Sequence, residues 1–140
     1  MIIKVRIMGL DIGDKRIGVA ISDSLKISAN ALTVIQRSDF KSETSILKKI
    51  ITEHQVETII AGLPKNMDGT IGDQAKSVQA YCDKLEEELD VPILLWDERL
   101  SSKTAEEVLI SADVKRKNRK KMIDKVAAAV ILQSYLDCHN

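Results

Sequence analysis

The chain has 140 residues, 44% of them hydrophobic, which suits one domain with a substantial core. Lys plus Arg number 21, and so do Asp plus Glu, so the formal net charge is zero and any nucleic-acid role must rest on local charge. Two distant cysteines, Cys82 and Cys138, and two histidines, His54 and His139, lack metal-ligand spacing. Zinc sites and histidine catalysis are thereby disfavoured, and carboxylates with hard cations remain.

Residues 4–11 read as a buried strand ending in Asp11, and residues 16–22 as a second strand after the turn at Asp14-Lys15. A carboxylate at the end of a buried strand is unfavourable unless something positive compensates it, and a divalent cation is the usual functional compensation. Gly13 beside it leaves room for a ligand near the backbone. Residues 31–36 predict a third strand, rich in β-branched side chains. Apolar residues at helical spacing predict a helix over about 42–54. Residues 58–61 form a short strand before the loop Gly62-Leu63-Pro64-Lys65-Asn66-Met67-Asp68-Gly69. A long helix covers about 72–89, with Ala75, Val78, Cys82 and Leu85 on one face.

Residues 93–96 form another buried strand, followed by Asp97-Glu98-Arg99. Ser101 or Ser102 can cap a further helix carrying Glu106 and Glu107 early in it. The stretch Lys115-Arg116-Lys117-Asn118-Arg119-Lys120-Lys121 reads either as a solvated loop or as a cradle for a nucleic-acid backbone. The last helix is expected over about 121–136, with Asp124 near its first turn. A three-strand opening followed by alternating strands and helices predicts one α/β domain over 1–140. Its sheet is mixed and five-stranded, with an antiparallel meander, parallel strands and helices on both faces.

Asp11, Asp97 or Glu98, and Asp124 come from distant segments and can meet at one sheet edge. Such a cluster repels itself unless cations neutralise it, and Mg²⁺ or Mn²⁺ suits carboxylate ligands. Two such ions about 3.5–4 Å apart can activate water and stabilise the leaving oxygen in phosphodiester cleavage. Neighbouring strand residues point to opposite faces, so one of Asp97 and Glu98 faces the ions. Lys65 and Asn66 read equally as parts of a strand-to-helix turn or as phosphate contacts. Arg16 and Arg99 are weaker candidates for phosphate contacts. Trp96 reads as core; with aromatics at 3%, base stacking has little support.

Four segments together resemble the YqgF family, the RuvC-like branch of the RNase H-like fold. They are Asp11-Ile-Gly-Asp-Lys-Arg-Ile-Gly-Val-Ala-Ile-Ser-Asp23, Gly62 to Gly69, Trp96-Asp-Glu-Arg-Leu-Ser-Ser102 and Asp124-Lys-Val-Ala-Ala-Ala-Val-Ile-Leu132. The resemblance implies that Asp11, Glu98 and Asp124 are metal-binding catalytic acids. It also implies a nuclease acting on precursor 16S rRNA in ribosome biogenesis, or a Holliday junction resolvase acting in recombination and repair. RuvC-type enzymes carry a further acid one turn along the last helix; here Lys125, Val126, Ala127 and Ala128 follow Asp124, so that ligand is missing. The gap keeps a non-catalytic nucleic-acid-binding module in view.

Asp-Ile-Gly followed by Gly-Val-Ala also resembles the phosphate hairpin of actin-like and sugar-kinase ATPases, which need two such domains; 140 residues supply one. The YqgF resemblance implies structured RNA or branched DNA as the partner. No signal peptide or membrane-length apolar run is seen, and the thiols read as reduced, so the expected location is cytoplasmic. No apolar stripe announces a dimer face. Monomer is the default, and a homodimer goes with the junction reading because a junction has two cleavable strands.

Overall fold

The computed structural model describes the backbone of residues 5–100 and 116–139, and the side chains of residues 5–99 and 126–139. Five strands form one sheet: β1 (Arg6–Ile12), β2 (Arg16–Ser22), β3 (Ala29–Gln36), β4 (Val56–Leu63) and β5 (Ile93–Asp97). Helices α1 (Phe40–His54) and α2 (Asp73–Leu89) separate the later strands, a 3₁₀ turn (Glu98–Leu100) follows β5, and α3 (Arg116–His139) closes the described order. The sheet order is β3-β2-β1-β4-β5. Pairing is antiparallel between β1 and β2 and between β2 and β3, and parallel between β1 and β4 and between β4 and β5. The expected mixed five-stranded sheet is therefore present, with β1 at its centre.

Strand alternation sorts the core into two layers. Met8, Leu10 and Ile12 of β1 join Leu47 of α1 and Val78, Cys82 and Leu85 of α2 on one face. Ile7 of β1, Ala20 of β2 and Ile60 of β4 meet Ala128, Ile131 and Leu132 of α3 on the other. Asp11 has the parity of Ile7 and Gly9, so it belongs to the α3 face. Burying apolar side chains on both faces is what fixes the register: a one-residue slip would exchange the two sets.

Element ends depart from the sequence reading. β4 runs two residues past Ala61, because Gly62 and Leu63 stay in the ladder beside Trp96 and Asp97. α1 starts at Phe40, two residues early, because Asp39 caps it by accepting from the Ser42 N–H at 3.0 Å. α3 starts at Arg116 rather than near Lys121, so most of the basic stretch is helical backbone and not a loop, and Asp124 lies beyond the first turn. The proposed cap at Ser101 or Ser102 and the helix with Glu106 and Glu107 lie outside the described residues.

Close contact between α3 and the sheet depends on Gly9. A Cβ there would stand 2.8 Å from the Ala128 carbonyl oxygen and 2.8 Å from Leu132 Cβ. Gly9→Ala is expected to push α3 outward and to destabilise the fold by about 1–3 kcal/mol. A thermal melt checks this, and an unchanged midpoint would mean that the helix yields freely.

Candidate active site

Asp11 is half-buried near the end of the central strand. Its antiparallel partner on β2 is Gly18, and on β4 Gly62 follows Ala61, the parallel partner of Leu10. The acid is thus flanked by two residues without side chains. A hollow of about 270 Å³ opens here, lined by Asp11, Gly13, Asp14, Lys15, Arg16 and Gly18.

Glu98 reaches the same face from the 3₁₀ turn. A Cβ on Gly62 would lie 2.6 Å from Glu98 Oε1 and 2.8 Å from its Cγ, so the glutamate lies directly across that glycine. The 3₁₀ turn breaks strand alternation immediately after Asp97, which separates the two adjacent acids. Asp97 is turned to Arg99, whose Nε and Nη2 donate to Asp97 Oδ2 at 3.0 and 2.7 Å. That bonding, led by the Arg99 side chain, holds the Asp97 carboxyl below its ordinary value. Glu98 shifts the other way, to about 8, through burial first and then through the Asp11 charge and a hydrogen bond with Asp11. Two carboxyl groups this close share a proton when nothing else neutralises them.

An oxygen-only donor pair, a partly buried setting and a floor of glycines fit a hard divalent cation. Among the described residues no group of three or more His, Cys, Asp or Glu side chains forms a metal site. Asp124 lies on the α3 backbone, and its side chain is outside the described residues.

Residues 5–138 match the RuvX family, described as Holliday junction resolvase. The chain belongs to the RuvX family. A relative from Desulforamulus reducens, named "Putative pre-16S rRNA nuclease", is 56% identical over 94% of this chain and 96% of its own length. A relative of the same name from Halothermothrix orenii is 53% identical over 96% of each chain. Among solved structures, Thermus thermophilus RuvC in complex with a Holliday junction aligns at TM-score 0.58, with 15% identity over 96% of this chain and 95% of that one. The fowlpox virus Holliday junction resolvase aligns at 0.53, with 16% identity over 95% and 99%. The fold of this RuvX chain is RNase H-like, and both family descriptions are of enzymes that hydrolyse phosphodiester bonds.

The other candidate residues of this RuvX chain fall into three groups. Arg16 is exposed at the start of β2 and lines the hollow beside Asp11. Lys65, Asn66 and Arg99 gather around the β4–α2 loop. Arg99 Nη1 donates to the Met67 carbonyl at 3.3 Å, and Asn66 Nδ2 donates to Thr70 Oγ1 at 2.9 Å. These bonds give Arg99 and Asn66 structural work in the loop, and Lys65 lies near enough to favour the Asp97 charge. The side chains of Arg116, Lys117, Arg119, Lys120 and Lys121, and the whole of Lys115, lie outside the described residues. Trp96 belongs to the α3-side core, donating from Nε1 to Ser134 Oγ at 3.1 Å and meeting Tyr135 edge-on.

Sequence reasoning missed Lys15, which lines the Asp11 hollow with Arg16. It also missed Glu43, Arg37 and Tyr81 beneath the β1–β2 turn. Glu43 is a charged residue with only 1% exposure. It accepts from the Tyr81 hydroxyl at 2.6 Å, the Ser38 N–H at 2.8 Å and Arg37 Nε at 2.9 Å. Burial opposes the Glu43 charge, but these donors outweigh it and hold the carboxyl below its ordinary value. Along the sequence, Glu43 looks like any acid in a first helical turn.

Proposed function

We propose that this chain is a divalent-metal-dependent nuclease that processes precursor 16S rRNA in the cytoplasm, with Mg²⁺ or Mn²⁺ as cofactor. The observation that carries this reading is the Asp11–Glu98 pair on its glycine floor, where burial and the nearby Asp11 charge raise the Glu98 carboxyl to about 8. The substrate is taken from the two relatives that are 56% and 53% identical over almost the full chain.

In this reading Asp11, Glu98 and Asp124 hold the cations. A divalent cation held by these carboxylates would supply Lewis acidity toward a water and a leaving oxygen. Asp11 would offer its carboxylate from the central strand of the sheet. Glu98 would hold the cation through its carboxylate oxygens from the 3₁₀ turn. Gly62 leaves the space that the Glu98 side chain occupies, and Gly18 lines the open hollow beside Asp11. Arg16 meets the substrate backbone at the hollow, while Lys65, Asn66 and Arg99 present the β4–α2 loop to it. The basic stretch Lys115, Arg116, Lys117, Arg119, Lys120 and Lys121, just ahead of Asp124 in the sequence, would meet the substrate backbone. The default assembly is a monomer.

The second reading is a Holliday junction resolvase, favoured by the family description and by the shared fold with RuvC. Labelled precursor rRNA and a labelled four-way junction, each incubated in Mg²⁺, Mn²⁺ or chelator, separate the two. The expected result is cleavage of the precursor in metal only, with the junction intact. Cleavage of the junction alone would favour the resolvase. Binding without cleavage of either would leave a non-catalytic nucleic-acid-binding module.

A further inference from the structure

The turn after Asp11 is held from outside its own hairpin. Within the hairpin, the Gly13 N–H donates to the Arg16 carbonyl at 2.9 Å. Arg37, just past the end of β3, adds two bonds to the same turn. Its backbone N–H donates to the Lys15 carbonyl at 2.9 Å, and its Nη1 donates to the Gly13 carbonyl at 2.7 Å. One residue thereby grips both sides of the turn.

Arg37 is itself fixed. Its Nε is bonded to Glu43 Oε2 at 2.9 Å, and its guanidinium lies 4.6 Å from the centre of the Tyr81 ring. Tyr81, from α2, closes the circuit by donating to the other Glu43 oxygen. Phe40 packs edge-on against Tyr81 at 5.8 Å. Among the described residues no buried side-chain polar atom lacks a partner, so this network is fully satisfied. A satisfied buried polar network permits one arrangement and penalises others.

The network lies across the sheet from the acids. Ile12, Gly13 and Asp14 also line a cavity of about 360 Å³ with Arg37, Tyr81 and Lys84, so local packing around the turn is incomplete. Without a clamp, a turn beside such a cavity has room to shift, and Asp11 lies two residues away. Lys15 and Arg16, which line the hollow on the acid side, ride on the same turn.

We propose that Arg37, locked by Glu43 and Tyr81, is a positioning residue that sets the β1–β2 turn and so the placement of Asp11, Lys15 and Arg16. This rests on the metal-site reading above. Precise ligand placement depends on such supports, and losing one commonly weakens metal binding by about tenfold or more.

The test uses Arg37→Met combined with Glu43→Gln, which removes both charges together and leaves no unpaired carboxylate in the core. Mn²⁺ binding is followed by the EPR signal of the free ion, turn mobility by amide hydrogen exchange over residues 13–18, and folding by a thermal melt. The expected result is a cooperatively folded protein whose Mn²⁺ dissociation constant rises about tenfold. Exchange over 13–18 should quicken while the α3 amides keep their protection. Arg37→Lys restores charge but cannot bond Glu43 and Gly13 together, so an intermediate constant is expected.

Wild-type Mn²⁺ affinity and unchanged exchange in the double variant would overturn the proposal. Should the double variant fail to fold, Tyr81→Phe loosens Glu43 while keeping the ring, and the same two readouts decide. Should the wild-type protein take up no Mn²⁺, the metal-site reading falls. The clamp is then judged by exchange over 13–18 alone, with faster exchange supporting it and unchanged exchange overturning it.

Discussion

Glu98→Gln is expected to abolish metal-dependent cleavage, by at least about a thousand-fold, while making the metal-free protein less sensitive to pH. The two effects share one cause. Glu98 has its folded-state value raised to about 8 by burial and by Asp11. Between its ordinary value and 8, the folded protein therefore holds a proton that the unfolded chain has released. Stability contributed by that proton is complete at acid pH and is lost as pH rises through the folded value. In chelator, the wild-type melting temperature should fall between about pH 5 and pH 8, a span on the order of a few kcal/mol at most. The Gln variant has no such proton to lose, and its profile should be flatter over that window. Asp11→Asn should likewise remove cleavage and relieve the repulsion. Melting curves across pH in chelator, beside cleavage assays in Mg²⁺ and Mn²⁺, check both halves. Equal pH slopes for wild type and variant would show that the two carboxyl groups do not share a proton.

Gly62→Ala carries the next largest effect, although it removes no charged or polar group. The new Cβ would stand 2.6 Å from Glu98 Oε1 and 2.6 Å from Ile131 Cδ1, both too close to keep. Glu98 is the member able to move, because Ile131 is held in the core with Leu132 and Leu136. Its carboxylate would swing away from Asp11, so activity should fall by about a hundred-fold or more through misplacement alone. The overpacking should cost about 1–3 kcal/mol of stability. The diagnostic is a large activity loss in a protein that still melts cooperatively. Full activity would mean that Glu98 reaches the substrate from another position.

Much of this was readable along the chain, for reasons particular residues make plain. Asp11 stood out because an ionised acid at the end of Ile-Met-Gly-Leu needs a partner, and the structure gives it Glu98. The strands and the two middle helices followed from apolar spacing, and the mixed sheet from their order. The choice between Asp97 and Glu98 stayed open because alternation assumes a continuing strand, and the 3₁₀ turn ends that rule between them. The start of α3 was misplaced because Arg116 to Lys121 carry no apolar period to mark a helix. The end of β4 was missed because Gly62-Leu63-Pro64 reads as a turn, although Gly62 is required by close packing. The clamp at Arg37 was invisible because Glu43 and Tyr81 are 38 residues apart, and only folding brings them to 2.6 Å.

The central place of β1 has a consequence for how the molecule is made. Its antiparallel neighbour β2 follows at once, but its parallel neighbour β4 begins only at Val56, and Glu98 and the α3 residues that cover Gly9 and Gly62 come later still. Pairings so far apart in sequence close late. During synthesis, Asp11 therefore emerges early as a lone acid on a strand without its parallel partner. The residues that pack over Gly9 and Gly62 are in place only once α3 has docked, so a partly made chain lacks the assembled Asp11–Glu98 pair.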